Sequence, residues 1–462
     1  MLGNVFVRFA QFSPVTVMMR GILEYAFPPQ RLDELFREHA CQQYEDELLF
    51  STVVDTLALA VNGVRKSVNA AYKARQDDFK VSVTALYDKL QGVETQVSQA
   101  LVRESAARLV PIVRALRAET APLLKGYRVK IIDGNHLTGT DHRLTETRRL
   151  HSSPLPGQAL VVLDPQLRLM IDVFPCEDAY AQERSLLDQV TPTASPLDLW
   201  ICDRNFCGTR FVFGLHRRGA SFLIRQHATT LWGKQLLGRR IKVGRCKTGM
   251  VYEQLMKIHD PEESDPERRE LTVRRITIKL DRPTEQGEIE VHLLTNVPAE
   301  AADAITLAEL YRQRWTIENA FQELDQALRS EVNTLCYPKA ALLAFCVAVS
   351  SYNVLSVLKA AVRSSQRDPS LLQELSGYYL GEEIAATYHG MMIAIPPRQW
   401  TKTFATLTAE QMAALLKHLA NNVDVTRYKK NKRGPKKPPP KRKGGIREKH
   451  VSTARLLEQR QH

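Results

Sequence analysis

The sequence predicts a mixed α/β fold with a β-rich insertion and helical regions at both ends. Between about 126 and 229, short apolar runs of strand length alternate with helix-like segments. Between 230 and 297 the strand-like segments RRIKVGR, LTVRRITIKL and GEIEVHLLTNVP follow one another, separated by the polar stretch HDPEESDPERRE. Before 125 and after 366 the apolar residues recur at three-to-four spacing instead.

Taken in order, residues 1–125 read as helical, with QRLDELFREHA and TQVSQALVRESAARLVPIVRALRAE the clearest cases. Within them, SVNAAYKARQDDFKVSVTALYDKL reads as two short helices around QDDFK. A DNA-binding helix-turn-helix, with Ser82, Thr84 and Tyr87 on its second helix, and two helices of an ordinary bundle are both open. RVKIIDG (128–134) is a strand ending at Asp133. QALVVLD (158–164) and RLMIDVF (168–174) form a hairpin joined by PQL, and EDAYAQERSLLDQV (177–190) reads as a helix. LDLWICD (197–203) is a strand ending at Asp203, GTRFVFGLHRRG a helix, and SFLIRQH (221–227) a fifth strand carrying Arg225. Residues 298–365 read as two helices that form the second part of the core, and 366–426 is helical again. The run ALLAFCVAVSSYNVLSVL (341–358) approaches membrane-span length. Ser350, Ser351, Tyr352 and Asn353 interrupt its middle and no second such run exists, so a buried core helix is expected, with no membrane partner.

The chain has 462 residues, 44% of them hydrophobic and 25% charged, as in a soluble globular protein of two or three domains. Its formal charge is +13. Residues 427–449 hold twelve Lys or Arg and one acid, Glu448, so this segment carries +11 and the rest only about +2. Residues 427–462, including Lys429, Lys430, Lys432 and Arg433, therefore read as a basic tail, disordered until it meets a polyanion. The seven cysteines contain no CxxC pair, which points to a reducing, intracellular compartment and to neither a zinc nor a disulfide framework. The N-terminal stretch lacks the pattern of a signal peptide. No phosphate-binding glycine motif lies between a strand and a helix, so nucleotide hydrolysis is not indicated.

Three carboxylates stand out. Asp133 and Asp203 occupy the carboxyl ends of strands, where open α/β sheets place their ligands. Residues 311–331, YRQRWTIENAFQELDQALRSE, read as one helix. At about 100° per residue, Tyr311, Arg314 and Glu318 share one face beside the apolar stripe of Leu310, Ile317, Phe321, Leu324 and Leu328. Three converging acids repel one another, and hard divalent cations such as Mg²⁺ or Mn²⁺ remove that cost. Each acid also has a plainer reading: a turn former, a helix cap or a solvated helix face. Arg314 and Tyr311 suit phosphate oxygens. Trp315 lies next to this face, where stacking on a base and burial in the core are both open. Arg225 is either a DNA-backbone contact or an ordinary surface arginine. His136 reads as supporting or solvent-facing, because hard ions prefer oxygen.

These residues resemble the DDE transposases of bacterial insertion sequences, in the group whose last catalytic helix carries Y-x2-R-x3-E-x6-K. Tyr311, Arg314 and Glu318 match this signature, while Asp325 stands at its lysine. KIIDG at Asp133 and ICDRNF at Asp203 resemble the two aspartate motifs, and LLTNVP and the YN-containing apolar helix also fit. Glu183 and Arg184 resemble a weaker family feature, with an ion pair on a helix surface as the alternative. The resemblance covers about 126–360. It implies a ribonuclease H-like core in which Asp133, Asp203 and Glu318 bind two Mg²⁺ or Mn²⁺ ions. It implies nicking of element ends in double-stranded DNA and joining of the freed 3′-OH to target DNA. It further implies a homodimer across two terminal inverted repeats, at work on the nucleoid in the cytoplasm. Tyr311 and Arg314 would hold the DNA backbone. Aspartate repels phosphate, so Asp325 cannot take the lysine's role, and Arg329, one turn further, is the expected substitute. A nuclease or recombinase that does not join, and a DNA-binding protein without catalysis, are the alternatives.

Overall fold

A computed structural model describes residues 4–43, 47–138, 144–147, 154–266, 268–332, 334–366, 371–431, 434 and 452–458. Its centre is a nine-stranded mixed sheet. The strands are β1 (Arg128–His136), β2 (Gln158–Asp164), β3 (Leu169–Cys176), β4 (Asp198–Cys202) and β5 (Ser221–Arg225), then β6 (Gln235–Cys246), β7 (Gly249–His259), β8 (Glu270–Leu280) and β9 (Glu290–Thr295). Their order across the sheet is β3-β2-β1-β4-β5-β9-β8-β7-β6. β4 runs parallel to β1 and to β5, and all other neighbours are antiparallel. The five-stranded part with its flanking helices is a ribonuclease H-like core. The strands between the second aspartate and the glutamate extend the same sheet through β9.

Both faces of the core strands are covered, which explains their nearly continuous apolar runs. Val129, Ile131, Leu199, Ile201 and Leu223 share one core with Ile317, Ala320 and Leu324 and with residues 340–349. Ile132, Trp200, Cys202, Phe222 and Ile224 point the other way, into a core with Phe206, Phe211, Val212 and Leu215. A third core is largely helical: Pro14–Ala26, the end of Thr95–Ala115, Gly377–Ala394, Pro397–Phe404 and Ala409–Ala420 pack round the distal half of Pro338–Gln366. That 29-residue helix is long and apolar enough to cross a membrane, but 89% of its most apolar window is buried inside the protein. The polar residues of its middle are satisfied there. Asn353 Oδ1 accepts from Met170 N and its Nδ2 donates to Met170 O, both at 2.8 Å, and Ser350 accepts from Ser105 at 3.3 Å.

Several expectations need correction. Asp133 lies inside β1, not at its end: β4 stops pairing at Cys202, while β1 continues against β2 to His136. Residues 177–190 form a 3-10 turn, Glu183–Leu186, and one helical turn, Leu187–Val190. Asp178 accepts from Tyr180 N at 2.9 Å, and the carbonyls of Asp178 and Ala181 are taken by the Gln158 amide, so no helix starts there. The single helix expected over 311–331 is in three pieces: Ala304–Tyr311, a 3-10 turn at Arg312–Arg314, and Trp315–Ala327. The tail is packed at both ends. Tyr428 is buried and bonds Glu383, and Ser452 and Arg455 both bond Asp178. Lys432 and Arg433 lie outside the described residues, as does most of the segment expected to be disordered.

Candidate active site

The register of two strands places the first two acids. Ile132 pairs with Cys202 in the parallel β1–β4 ladder, so Asp133 and Asp203 follow side by side, about 5 Å apart in backbone. Each lies two residues beyond an isoleucine, Ile131 or Ile201, that packs on the Trp315–Ala327 helix side. Alternation therefore aims both carboxylates at that helix. Backbone N–H groups steady them: Gly134 N donates to Asp133 at 3.0 Å and Arg204 N to Asp203 at 2.6 Å. Glu318 occupies the first turn of the helix, whose Ile317, Ala320 and Leu324 are buried.

Arg314 joins the three. One amino group donates to Asp133 Oδ2 at 3.1 Å and the other lies 2.6 Å from Glu318 Oε1. Burial opposes its charge, but Tyr311, Asp133, Glu318 and Asp203 together push its pKa up. Burial, opposed by Arg314 and the Gly134 N–H and aided by Asp203 and Glu183, lifts Asp133 to about 6. Burial, and then the nearby Asp203, raises Tyr311. Arg314 thus joins two of the three sequence-predicted acids, Asp133 and Glu318, while Asp203 lies beside Asp133 across the β1–β4 pairing.

The donor set suits Mg²⁺ or Mn²⁺: every acid presents oxygen, and Asp133 is held where charge is expensive without a cation. As placed, no three acidic, histidine or cysteine side chains among the described residues stand close enough to ligate a single ion. Arg314 supplies the balancing charge between Asp133 and Glu318.

The other candidates divide. Trp315 is 61% exposed, not in the core, and Arg314 lies 5.5 Å from its ring centre. Arg225 is held by Glu288, which also sits 3.5 Å from Arg204. His136 is exposed, as expected. Arg329 is a correction. The helix stops at Ala327, so the angular extrapolation fails; Arg329 N donates to Val61 O at 2.7 Å and its guanidinium to Arg65 O at 3.1 Å. Asp325 accepts from Ser330 Oγ at 2.5 Å and closes the turn after the helix. Lys429 pairs with Glu374 at 2.9 Å, and Lys430 N donates to Glu374 O at 2.7 Å. Ser82 caps the second short helix by accepting from Ala85 N at 3.2 Å, Thr84 is exposed, and Tyr87 packs on the core. Glu183 does not lie along a helix beside Arg184. It lies over Gly134, within 3.4 Å of Asn205 Nδ2.

The Transposase DDE domain family matches residues 124–354, half of the chain and all three acids. The chain belongs to this family. Its transposase domain thus spans the sheet and the proximal half of the long buried helix. Members act in DNA transposition and typically use divalent metal ions. No curated protein matches the chain. Among solved structures, the piggyBac transposase synaptic complex with hairpin DNA, determined by cryo-EM, is similar at 12% identity and a TM-score of 0.38. The match covers 87% of this chain and 84% of that one.

Glu288 escaped the sequence reading, and Glu183 was singled out only with Arg184, not with the acids. Neither sits in a spacing pattern with the acids, and only the folded sheet brings them to Gly134 and to Arg225.

Proposed function

We propose that this transposase cuts DNA at the ends of an insertion sequence and joins the freed 3′ ends to target DNA. Asp133, Asp203 and Glu318 hold two Mg²⁺ or Mn²⁺ ions. When bound, such ions activate the attacking oxygen and stabilise the leaving one. What supports this reading is the pairing that sets Asp133 beside Asp203 in neighbouring strands, together with Arg314 joining Asp133 to the helical Glu318.

The chain's own groups do the rest. Arg314, released from Asp133 or Glu318, offers its planar fork to the scissile phosphate. Tyr311 donates its hydroxyl to the backbone, a role favoured by the raised pKa that keeps it protonated. Trp315 stacks on an exposed base beside the cut. Arg225, exchanging Glu288 for a phosphate, and Lys430 extend the contact with double-stranded DNA. Two copies engage two terminal inverted repeats as a homodimer in the cytoplasm, on the nucleoid.

Incubation with supercoiled plasmid, Mg²⁺ and a DNA fragment bearing the element's ends tests the proposal. Joined products support it. Nicks without joining point to a metal nuclease or recombinase, and bound, intact DNA to a protein that has lost catalysis. Asp325 at the signature lysine is the one observation that favours the last outcome.

A further inference from the structure

We propose that the helical part of the chain holds a binding site, apart from the acid centre, for a small organic acid with an apolar body.

The site is a cavity of about 320 Å³, a size that suits a small molecule. Pro14–Ala26, Phe50–Val61, Thr95–Ala115, Pro338–Gln366 and Gly377–Ala394 all contribute to its lining. Leu23, Val54, Leu101 and Val347 give it apolar walls, and it shares no residue with the acid centre. An empty apolar hollow forfeits dispersion contacts along its lining, and water finds few partners on such walls. An apolar molecule recovers those contacts.

Polar groups choose among apolar molecules. Asn62 lines the cavity and is only 6% exposed. Its Nδ2 donates to Ala58 O at 2.8 Å and to Ser351 Oγ at 3.3 Å, whereas its Oδ1 accepts from no group among the described residues. A buried acceptor left open is costly, and an N–H or O–H on the ligand removes that cost. Charge decides the rest. Of the three arginines in the lining, Arg20 pairs with Glu24, and Arg75 lies 3.7 Å from Asp55. The Arg65 guanidinium meets the His389 ring at 2.9 Å and pairs with no carboxylate among the described residues. A half-buried guanidinium without a carboxylate suits the acid group of a ligand whose body lies between the helices.

Anilinonaphthalene sulfonate combines an acid group, an N–H and apolar rings, so it serves as the probe. The test is its fluorescence titration into the full chain, with decanoate and decanol as competitors and thermal unfolding alongside. One dye molecule is expected to bind per chain, with decanoate displacing it about tenfold more readily than decanol. Arg65→Ala is expected to weaken dye and decanoate about tenfold. Ala58→Phe, which fills the cavity, is expected to abolish dye binding without lowering the unfolding midpoint. Absence of saturable dye binding, an Arg65→Ala affinity within about twofold of wild type, or decanol competing as well as decanoate overturns the inference. A folded Ala58→Phe chain that binds dye as wild type does overturns it too, and if that variant unfolds, Arg65→Ala and decanol decide.

Discussion

Strands β4 and β6 belong to one sheet, yet every residue of β4 is buried, whereas β6 fully buries only Cys246. β4 sits between two parallel neighbours with helices on both faces. β6 is an edge, and it shows Ile241 and Val243 to solvent among Arg239, Lys242 and Arg245. The difference teaches where chemistry can be placed. Side chains at the end of β4 inherit a backbone fixed by packing on all sides, so Asp203 follows the last pair of the β1–β4 ladder at the side of Asp133. The edge half has no such constraint and offers surface; its cations also keep an exposed edge from pairing with other chains.

The largest effect that would break this contrast is catalytic. If the proposed function holds, Asp133→Asn, Asp203→Asn and Glu318→Gln each lower Mg²⁺-dependent plasmid cleavage by about 10³-fold or more, because each would remove a ligand of the ions proposed to act on the reacting oxygens. Ile241→Ala on the edge should leave cleavage unchanged. The next effect is on stability. Trp200, fully buried in β4 with Lys130 4.9 Å from its ring centre, should cost about 3–5 kcal/mol when changed to Ala. Ile241, 66% exposed, should cost under about 0.5 kcal/mol in the same urea titration.

A third prediction concerns pH. Asp133 titrates at about 6 in the folded chain, against 3.8 when unperturbed. Between these values the unfolded chain has released the proton that the native chain keeps. The stability from this carboxyl is thus greatest below about pH 4 and is lost as pH rises through 6, by about 3 kcal/mol. In metal-free buffer, Asp133→Asn should remove that slope and raise the unfolding midpoint at pH 7. Metal needs the ionised form, so Mn²⁺ binding to the wild type should strengthen over the same window.

Two smaller effects sharpen the account at the DNA surface. Glu288→Gln frees Arg225 and Arg204, and should tighten DNA binding about threefold at low salt and steepen its salt dependence. Arg329→Ala should leave end binding and its salt dependence unchanged, because that guanidinium is turned to the Arg65 carbonyl.

The strands that carry the aspartates were legible because burial on both faces writes itself as uninterrupted apolar runs. Motif and spacing singled out Asp133, Asp203 and Glu318, and of their geometry the structure shows the two aspartates side by side and Arg314 between Asp133 and Glu318. Other features were not legible. The break at Arg312–Arg314 leaves the helical spacing of apolar residues intact, so periodicity does not reveal it. Arg329 was misplaced by extending a helix past Leu328, where the backbone turns extended. The docking of Ser452 and Arg455 on Asp178 depends on three polar groups far apart in the chain, which no local pattern records. Glu183 was read as part of a helix that Asp178 and Gln158 prevent.

The central claim is that three carboxylates from β1, from the end of β4 and from the Trp315–Ala327 helix bind divalent metal together. Anomalous scattering from crystals grown with Mn²⁺ tests it most directly. The account predicts two peaks about 3.5–4 Å apart, contacted by Asp133, Asp203 and Glu318, with Arg314 moved off at least one carboxylate. Mn²⁺ peaks elsewhere only, with Arg314 still bridging Asp133 and Glu318, would contradict it.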